Sequence, residues 1–292
     1  MVPVDACAVC GGRNLRPYAA SAWTPGTLHF AQALCANCGL VMSQPRATSD
    51  EIARYYRDDY YRQHWPNAQE SVTSNQGFYV RHEVPLMQQL WREWPPRPGA
   101  SIFEVGCGYG AFLTLMAASG YAVSGCDPSA DAVAFGRQQG IDVVQGVVPG
   151  ITVERPVDVA VAQHVIEHVE DPRAFVGAMA MLVRPGGLVV LVTEDAWSAQ
   201  WRLALLRARA TGRIPRFHTS TDHTYVFRAE HLARLLRESG CDEVRTRSFS
   251  YRGAGESLHW RLYKSTLRAL DRASGHGDYL MAIGRVATKI TK

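Results

Sequence analysis

The stretch Ser101-Ile-Phe-Glu-Val-Gly-Cys-Gly-Tyr-Gly-Ala111 decides the fold. Ser101 to Val105 reads as a buried strand and Gly110 to Ser119 as a helix, with Gly106, Cys107 and Gly108 at the junction. Glycines there let the backbone pass close to a ligand, while the helix start presents free amides to polar or anionic groups. The string satisfies the G-x-G-x-x-G/A pattern of dinucleotide binding. Asp127, about twenty residues further on, could hold a ribose diol.

Outward from this junction, strand and helix alternate. Strands are expected at Ala122 to Cys126, Val143 to Val144, Val157 to Ala162 and Leu188 to Thr193, and helices at Ala130 to Gln139 and Pro172 to Val183. After insertions near 197–216 and 251–276, a helix at Ala229 to Ser239, a strand at Glu243 to Ser248 and a last strand at Tyr279 to Val286 resume the rhythm. This alternation predicts an α/β fold over 99–292: a doubly wound, mostly parallel, seven-stranded Rossmann-like sheet covered on both faces.

Residues 47–98 read as a helical linker or cover. Thr48-Ser-Asp-Glu-Ile starts one helix, with Ser or Thr capping and acids in the first turn. It leads to Tyr55, Tyr56, Tyr60 and Tyr61, taken as a packing seam in preference to a cleft cover. A second helix, from about Gly77 to Trp94, stops at the breaker cluster Pro95-Pro96-Arg97-Pro98-Gly99.

Residues 1–46 carry the other clear signal, Cys7-Ala-Val-Cys10 and Cys35-Ala-Asn-Cys38, each followed by glycine. Two such turns let Cys7, Cys10, Cys35 and Cys38 meet one tetrahedral Zn2+ ion and fill its coordination sphere, so the metal is structural. Strand-like pieces lie at Thr27 to Leu34 and Leu40 to Ser43. A unit this small cannot fold on its own core, so the metal supplies its stability.

The composition, 47% apolar and 20% charged over 292 residues, is that of a globular protein, and a formal charge of +4 demands neither nucleic acid nor membrane. Met1 to Asp5 has no basic or apolar leader pattern, and no apolar run approaches the roughly 20 residues of a membrane span. The expected location is cytoplasmic. Oligomeric state is not legible.

Glu104, two residues before the first glycine, would repel a pyrophosphate and suits a cationic amino group such as the methionyl ammonium of S-adenosylmethionine (SAM). Together, Glu104-Val-Gly-Cys-Gly-Tyr-Gly, Cys126-Asp-Pro-Ser, Gln163-His-Val-Ile-Glu-His-Val-Glu-Asp-Pro and Arg184-Pro-Gly-Gly-Leu resemble the motifs of class I SAM-dependent methyltransferases over about 99–249. The resemblance implies that Glu104, Gly106, Cys107, Gly108 and Gly110 surround the methionine part. It gives Asp127 the ribose, Pro128 the adenosine, Gln145 and Gly146 the adenine, and Gln163 and His164 the neighbourhood of the sulfonium. His168 is expected to orient a helix start.

Methyl transfer from a sulfonium needs alignment and, for a hydroxyl or activated carbon, a base. Phe217-His-Thr-Ser-Thr-Asp-His-Thr-Tyr resembles a substrate-side loop, which makes His223 the first candidate base with Asp222 or another acid orienting it; His164 is second and His218 third. The ribbon, Pro45 and the tyrosine-rich helix together resemble sugar C-methyltransferases and related enzymes of glycan and natural-product pathways. The implied acceptor is a small molecule, glycosyl or nucleotide-linked, with Arg202, Arg207, Arg209, Arg213 and Arg216 at its entrance. The rival reading is an RNA methyltransferase gripping phosphates with the ribbon and those arginines. It is disfavoured by the absence of an Asn/Asp-Pro-Pro-aromatic motif after the fourth strand.

Overall fold

Alternate residues of the central strands belong to opposite cores. Along Val157–Gln163, Val159 and Val161 pack with one apolar cluster while Ala160 and Ala162 pack with the other, and all four are 0% exposed. A strand buried on both faces must be apolar throughout, which is why the sequence reads there as a continuous run. The computed structural model describes residues 2–19, 31–60, 67–78, 84, 87, 91, 94–211, 223–250 and 258–288.

Eleven strands are present among the described residues, in two sheets. Four form the N-terminal sheet: β1 (Leu15–Ala19), β2 (Ala31–Cys35), β3 (Val41–Gln44) and the two-residue β9 (Tyr225–Val226). The main sheet holds β4 (Ser101–Val105), β5 (Ala122–Asp127), β6 (Asp142–Gln145), β7 (Val157–Gln163), β8 (Val183–Glu194), β10 (Cys241–Phe249) and β11 (Tyr279–Val286). Its order is β10-β11-β8-β7-β4-β5-β6, with β11 antiparallel to both neighbours and the rest parallel. The strand order reverses at β4, between β5 and β7, and ligands of open α/β sheets bind at such a switch point.

The helices are α1 (Ser49–Tyr55), which continues as a π-helical turn Tyr56–Tyr60, α2 (Ala68–Phe78), α3 (Ala111–Ala118), α4 (Ala130–Gln138), α5 (Pro172–Leu182), α6 (Ala199–Thr211), α7 (Ala229–Glu238) and α8 (Leu258–Ser274). Thr48 and Glu51 form a reciprocal capping box at α1, as the acids in its first turn suggested. Phe112, Leu113 and Met116 of α3 and Val133 of α4 fill one core, together with Met87, Trp91 and Trp94. Phe175, Val176 and Met179 of α5 and Leu232, Leu235 and Leu236 of α7 fill the other.

Two expectations need correction. Gly77 does not begin a helix; it lies at the end of α2, and Val84, Met87 and Trp91 are helical residues further on. The fifth sheet strand starts at Val183, not Leu188: Val183 pairs with Val157 and Leu188 with Val159, so the strand crosses an irregularity at Arg184–Gly187, where Gly186 takes φ 78° and a Cβ on Gly187 would meet the Asp158 carbonyl at 2.6 Å. The four-cysteine unit packs against the catalytic core. Val4, Cys7, Val9, Cys35, Leu40 and Met42 belong to the same apolar cluster as α5 and α7, and its sheet is completed by β9 from beyond residue 220.

The insertion near 197–216 is described as α6 up to Thr211, and the one near 251–276 as α8. They pack together, with Asp271 Oδ1 accepting the Ala199 amide. No described helix is long and apolar enough to cross a membrane.

Candidate functional site

A cleft of about 790 Å³ opens at the carboxyl ends of β4, β5 and β7. Its floor is the glycine junction. Gly106, Gly108 and Gly110 all have positive φ, and a Cβ on Gly106 would lie 2.5 Å from Val165 Cγ2, so only glycine fits there. The Gly106 and Cys107 amides donate to Cys126 O, and Gly108 N donates to Asp127 Oδ2 at 2.9 Å. The other carboxylate oxygen of Asp127 accepts the Ser129 amide at 2.9 Å. Asp127 thus locks the loop into shape while still lining the cleft. Burial pushes the Cys107 thiol up, with the charges of Asp127 and Glu104 adding to it, so this side chain stays neutral.

Glu104 lies beneath the floor, 2% exposed, and its Oε1 accepts from Gln163 Nε2 at 2.9 Å. Gln163 Oε1 is a buried acceptor with no hydrogen-bond partner among the described residues. A carboxylate coupled to an unsatisfied amide oxygen is a setting for an ammonium donor, so the site fits the methionyl end of SAM and rejects a pyrophosphate. Gly106, Cys107, Gly108, Asp127, Pro128, Gly146, Gln163, His164 and His223 all line the cleft. Glu104, Gly110 and Gln145 do not. Gly110 is the left-handed N-cap of α3, and Gln145 donates its amide to Pro128 O at 3.0 Å.

Beyond Gln163 the chain makes a strained turn. His164 is the one described non-glycine residue at positive φ, 54°, while its amide still pairs with Val192 O of β8. The turn drives Glu167 inward to 2% exposure. Neither of its carboxylate oxygens accepts a hydrogen bond among the described residues; the nearest cationic candidate is His164 Nδ1, 3.4 Å from Oε1. Burial alone would raise its pKa, but the contact with His164 and the charges of His168, His164 and His223 hold it down at about 2. The carboxylate is therefore ionised.

His223 meets this turn from the other side. Its ring lies 4.7 Å from that of His168, and its Nδ1 is 3.4 Å from Glu194 Oε2. Ligand atoms of Glu167, His168 and His223 all lie within 4.8 Å of one another. Sequence reasoning missed Glu167 and assigned His168 a structural part; the available signal was the Glu-His pair itself, four residues past the end of a strand at the switch point. His218 and Asp222 lie outside the described residues, as do Arg213 and Arg216.

The cleft's roof is Ser49, Ile52, Ala53, Tyr56 and Tyr60. The tyrosines therefore cover the cleft, with Tyr56 edge-on to His168 at 5.5 Å, as well as packing on each other. Of the described part of the first insertion, nothing lines the cleft, so the expected arginine entrance is not formed by Arg202 or Arg207.

The four cysteines converge as expected. Cys7 and Cys38 Sγ are 3.5 Å apart, as are Cys10 and Cys35, and all four sulfurs lie within 4.8 Å of one another. A disulfide would need about 2.05 Å. Four thiolates around an ion at about 2.3 Å would stand about 3.8 Å apart, so the set fits a tetrahedral metal. The thiol contact lowers Cys7 to about 4 and raises Cys38 by the same sharing of a proton, a crowding that a cation would relieve.

A family model described as "Methyltransferase domain" matches residues 79–246. A ubiquinone biosynthesis O-methyltransferase from Thiobacillus denitrificans is 30% identical over 187 residues, covering 61% of this chain and 80% of that protein. The corresponding mitochondrial enzyme of Schizosaccharomyces pombe is 29% identical over 162 residues, covering 52% and 59%. Among solved structures, the plantazolicin methyltransferase BpumL superimposes with a TM-score of 0.54 at 12% identity, covering 81% of this chain and 94% of that one. A SAM-dependent methyltransferase from Thermotoga maritima gives 0.50 at 17%, covering 75% and 96%. At such identities the structural likeness speaks for the fold alone.

Proposed function

The chain belongs to the methyltransferase-domain family and is a SAM-dependent methyltransferase; from that premise we propose that it methylates a hydroxyl group of a small molecule, with His223 accepting the proton. The observation that carries this reading is the buried, ionised Glu167 carboxylate ringed by His164, His168 and His223 at the mouth of the glycine-loop cleft. A fixed anion beside imidazoles stabilises the protonated ring that forms when an acceptor gives up its proton. Glu194 at 3.4 Å orients Nδ1 of His223, leaving Nε2 for the acceptor.

Bound SAM would supply the electrophilic methyl on its sulfonium. Glu104 and Gln163 would hold its ammonium, Asp127 its ribose, and the glycine loop would admit its backbone-like tail. The names of the O-methyltransferase relatives support oxygen over carbon as the nucleophile. A cleft of about 790 Å³ suits a small molecule better than RNA, and the faces of Tyr56 and Tyr60 suit a ring-bearing acceptor, glycosyl or aromatic. Cys7, Cys10, Cys35 and Cys38 would hold a structural zinc with no open position for chemistry.

The test is His223→Ala. Turnover should fall about 10²- to 10⁴-fold, the worth of a general base, with affinity for S-adenosylhomocysteine unchanged and the acidic limb of the rate profile lost. Near-normal turnover would move the base to His164. The convergence of Glu167, His168 and His223 also favours a second reading, in which a divalent ion held by them activates the hydroxyl. Protein carrying one zinc per chain should be fully active without added metal; stimulation by magnesium or manganese would favour that reading instead.

A further inference from the structure

We propose that the four-cysteine unit is a positioning element of the active site: through β3 it holds the segment bearing His223, so that occupancy of the thiolate site controls turnover and leaves cofactor affinity unchanged. This rests on the reading of His223 as base. The strap can be followed bond by bond. The second cysteine turn closes through Gly39 N to Cys35 O at 2.8 Å and Cys35 N to Leu40 O at 2.9 Å, and it feeds directly into β3. From β3, Ser43 N donates to Thr224 O at 2.8 Å and Ser43 Oγ donates to His223 O at 3.1 Å. On its other side the same segment is pinned to the catalytic turn, because the Thr224 and Tyr225 amides both donate to Glu167 O, at 2.7 and 3.1 Å.

The strap is needed because β9 has only two residues and stands at the edge of its sheet, next to β3. A strand so short cannot hold itself in place. The ribbon also grips the chain just beyond it, where His231 Nε2 meets Cys38 O at 2.9 Å. A third grip is Arg173 of α5, whose guanidinium donates to Ala8 O and Val9 O in the first cysteine turn. None of these bonds reaches Gly106, Gly108 or Asp127, which are fixed by β4 and β5. Loosening the ribbon should therefore move the base and spare the cofactor floor.

Ser43 separates this from general damage. In metal-loaded, full-length protein, Ser43→Ala should lower kcat roughly three- to tenfold, the worth of one neutral hydrogen bond, with unchanged dissociation of S-adenosylhomocysteine. Ser43→Thr should restore it. Stripping the metal should raise hydrogen exchange at the Thr224 and Tyr225 amides while S-adenosylhomocysteine still binds. Unchanged exchange on stripping, unchanged kcat in Ser43→Ala, or cofactor affinity falling in parallel with kcat would each overturn the proposal. A normal rate in His223→Ala would overturn the base reading alone and leave the exchange result standing.

Discussion

Asp158 and Glu167 stand at opposite ends of one strand, and both are carboxylates buried to within 3% of full burial. Asp158, near the start of β7, accepts from Arg97 Nε and Nη2, Arg184 Nε and both the amide and hydroxyl of Ser101. Burial would raise its pKa, but these donors hold it well below the usual range. Glu167, just past the end of β7, has no hydrogen bond at either oxygen among the described residues and lies beside the imidazoles of His164, His168 and His223. Guanidinium is charged at every accessible pH, whereas imidazole gains and loses its proton near neutrality. The difference teaches where stability and chemistry reside: a satisfied anion staples the bottom of the sheet, and an anion left to titratable partners marks its working end.

The comparison breaks most visibly if Glu167 proves structural. Glu167→Gln keeps the shape and removes the charge, so turnover should drop by about 10²-fold or more while affinity for S-adenosylhomocysteine is unchanged. The sign of the acid response follows from its depressed pKa. Glu167 contributes stability that is complete above about 4.5, its unfolded value, and is lost as pH falls toward 2, so the variant should lose less stability than the native chain across that window. Denaturant titrations at pH 6, 4 and 3 check this, and a variant both active and unstable would reverse the two carboxylates' roles.

Asp158→Ala should do the opposite. Removing it leaves the Ser101 amide and two guanidinium groups without their shared acceptor, at a cost of about 3 kcal/mol. Binding of S-adenosylhomocysteine to the surviving folded fraction should be unaltered. Equilibrium unfolding and calorimetry on the same samples separate the two effects, and weakened binding at normal stability would break the comparison from its other end.

How much of this was legible beforehand depended on the range of the interaction. Strand Tyr279–Val286 and the junction at Ser101–Ala111 are written in local apolar pattern and glycine chemistry, and both stand where the sequence put them. The cysteine turns were legible because two short Cys-x-x-Cys spacings bring four sulfurs to one place. Pairing of Val41 with Val226 and Met42 with Tyr225 was not, since two residues carry no periodicity and their partner lies some 180 positions away. Glu167 was missed for a related reason: its burial is set by the strained φ of His164 and by a loop arriving from beyond residue 220, neither of which a local motif records.

The smallest effect concerns the joint between ribbon and core. His231 is 3% exposed; its Nδ1 accepts the Arg228 amide at 3.1 Å, so its proton lies on Nε2, which donates to Cys38 O. A second proton would have to enter facing the Arg228 N–H. Burial, the larger influence, lowers the pKa, and the charge of Arg228 lowers it further, against the opposing contact with Cys38 O. For a histidine with a depressed folded pKa, the unfolded chain binds the extra proton first. The stability it contributes is thus complete above about 6.5 and declines as pH falls below that value, by at most about 1.4 kcal/mol per pH unit for one proton. His231→Gln cannot titrate. Between pH 7 and 5.5 the native chain should therefore lose more stability than this variant, and hydrogen exchange at Thr224 should rise with it; equal losses in the two chains would mean that the joint does not feel His231's proton.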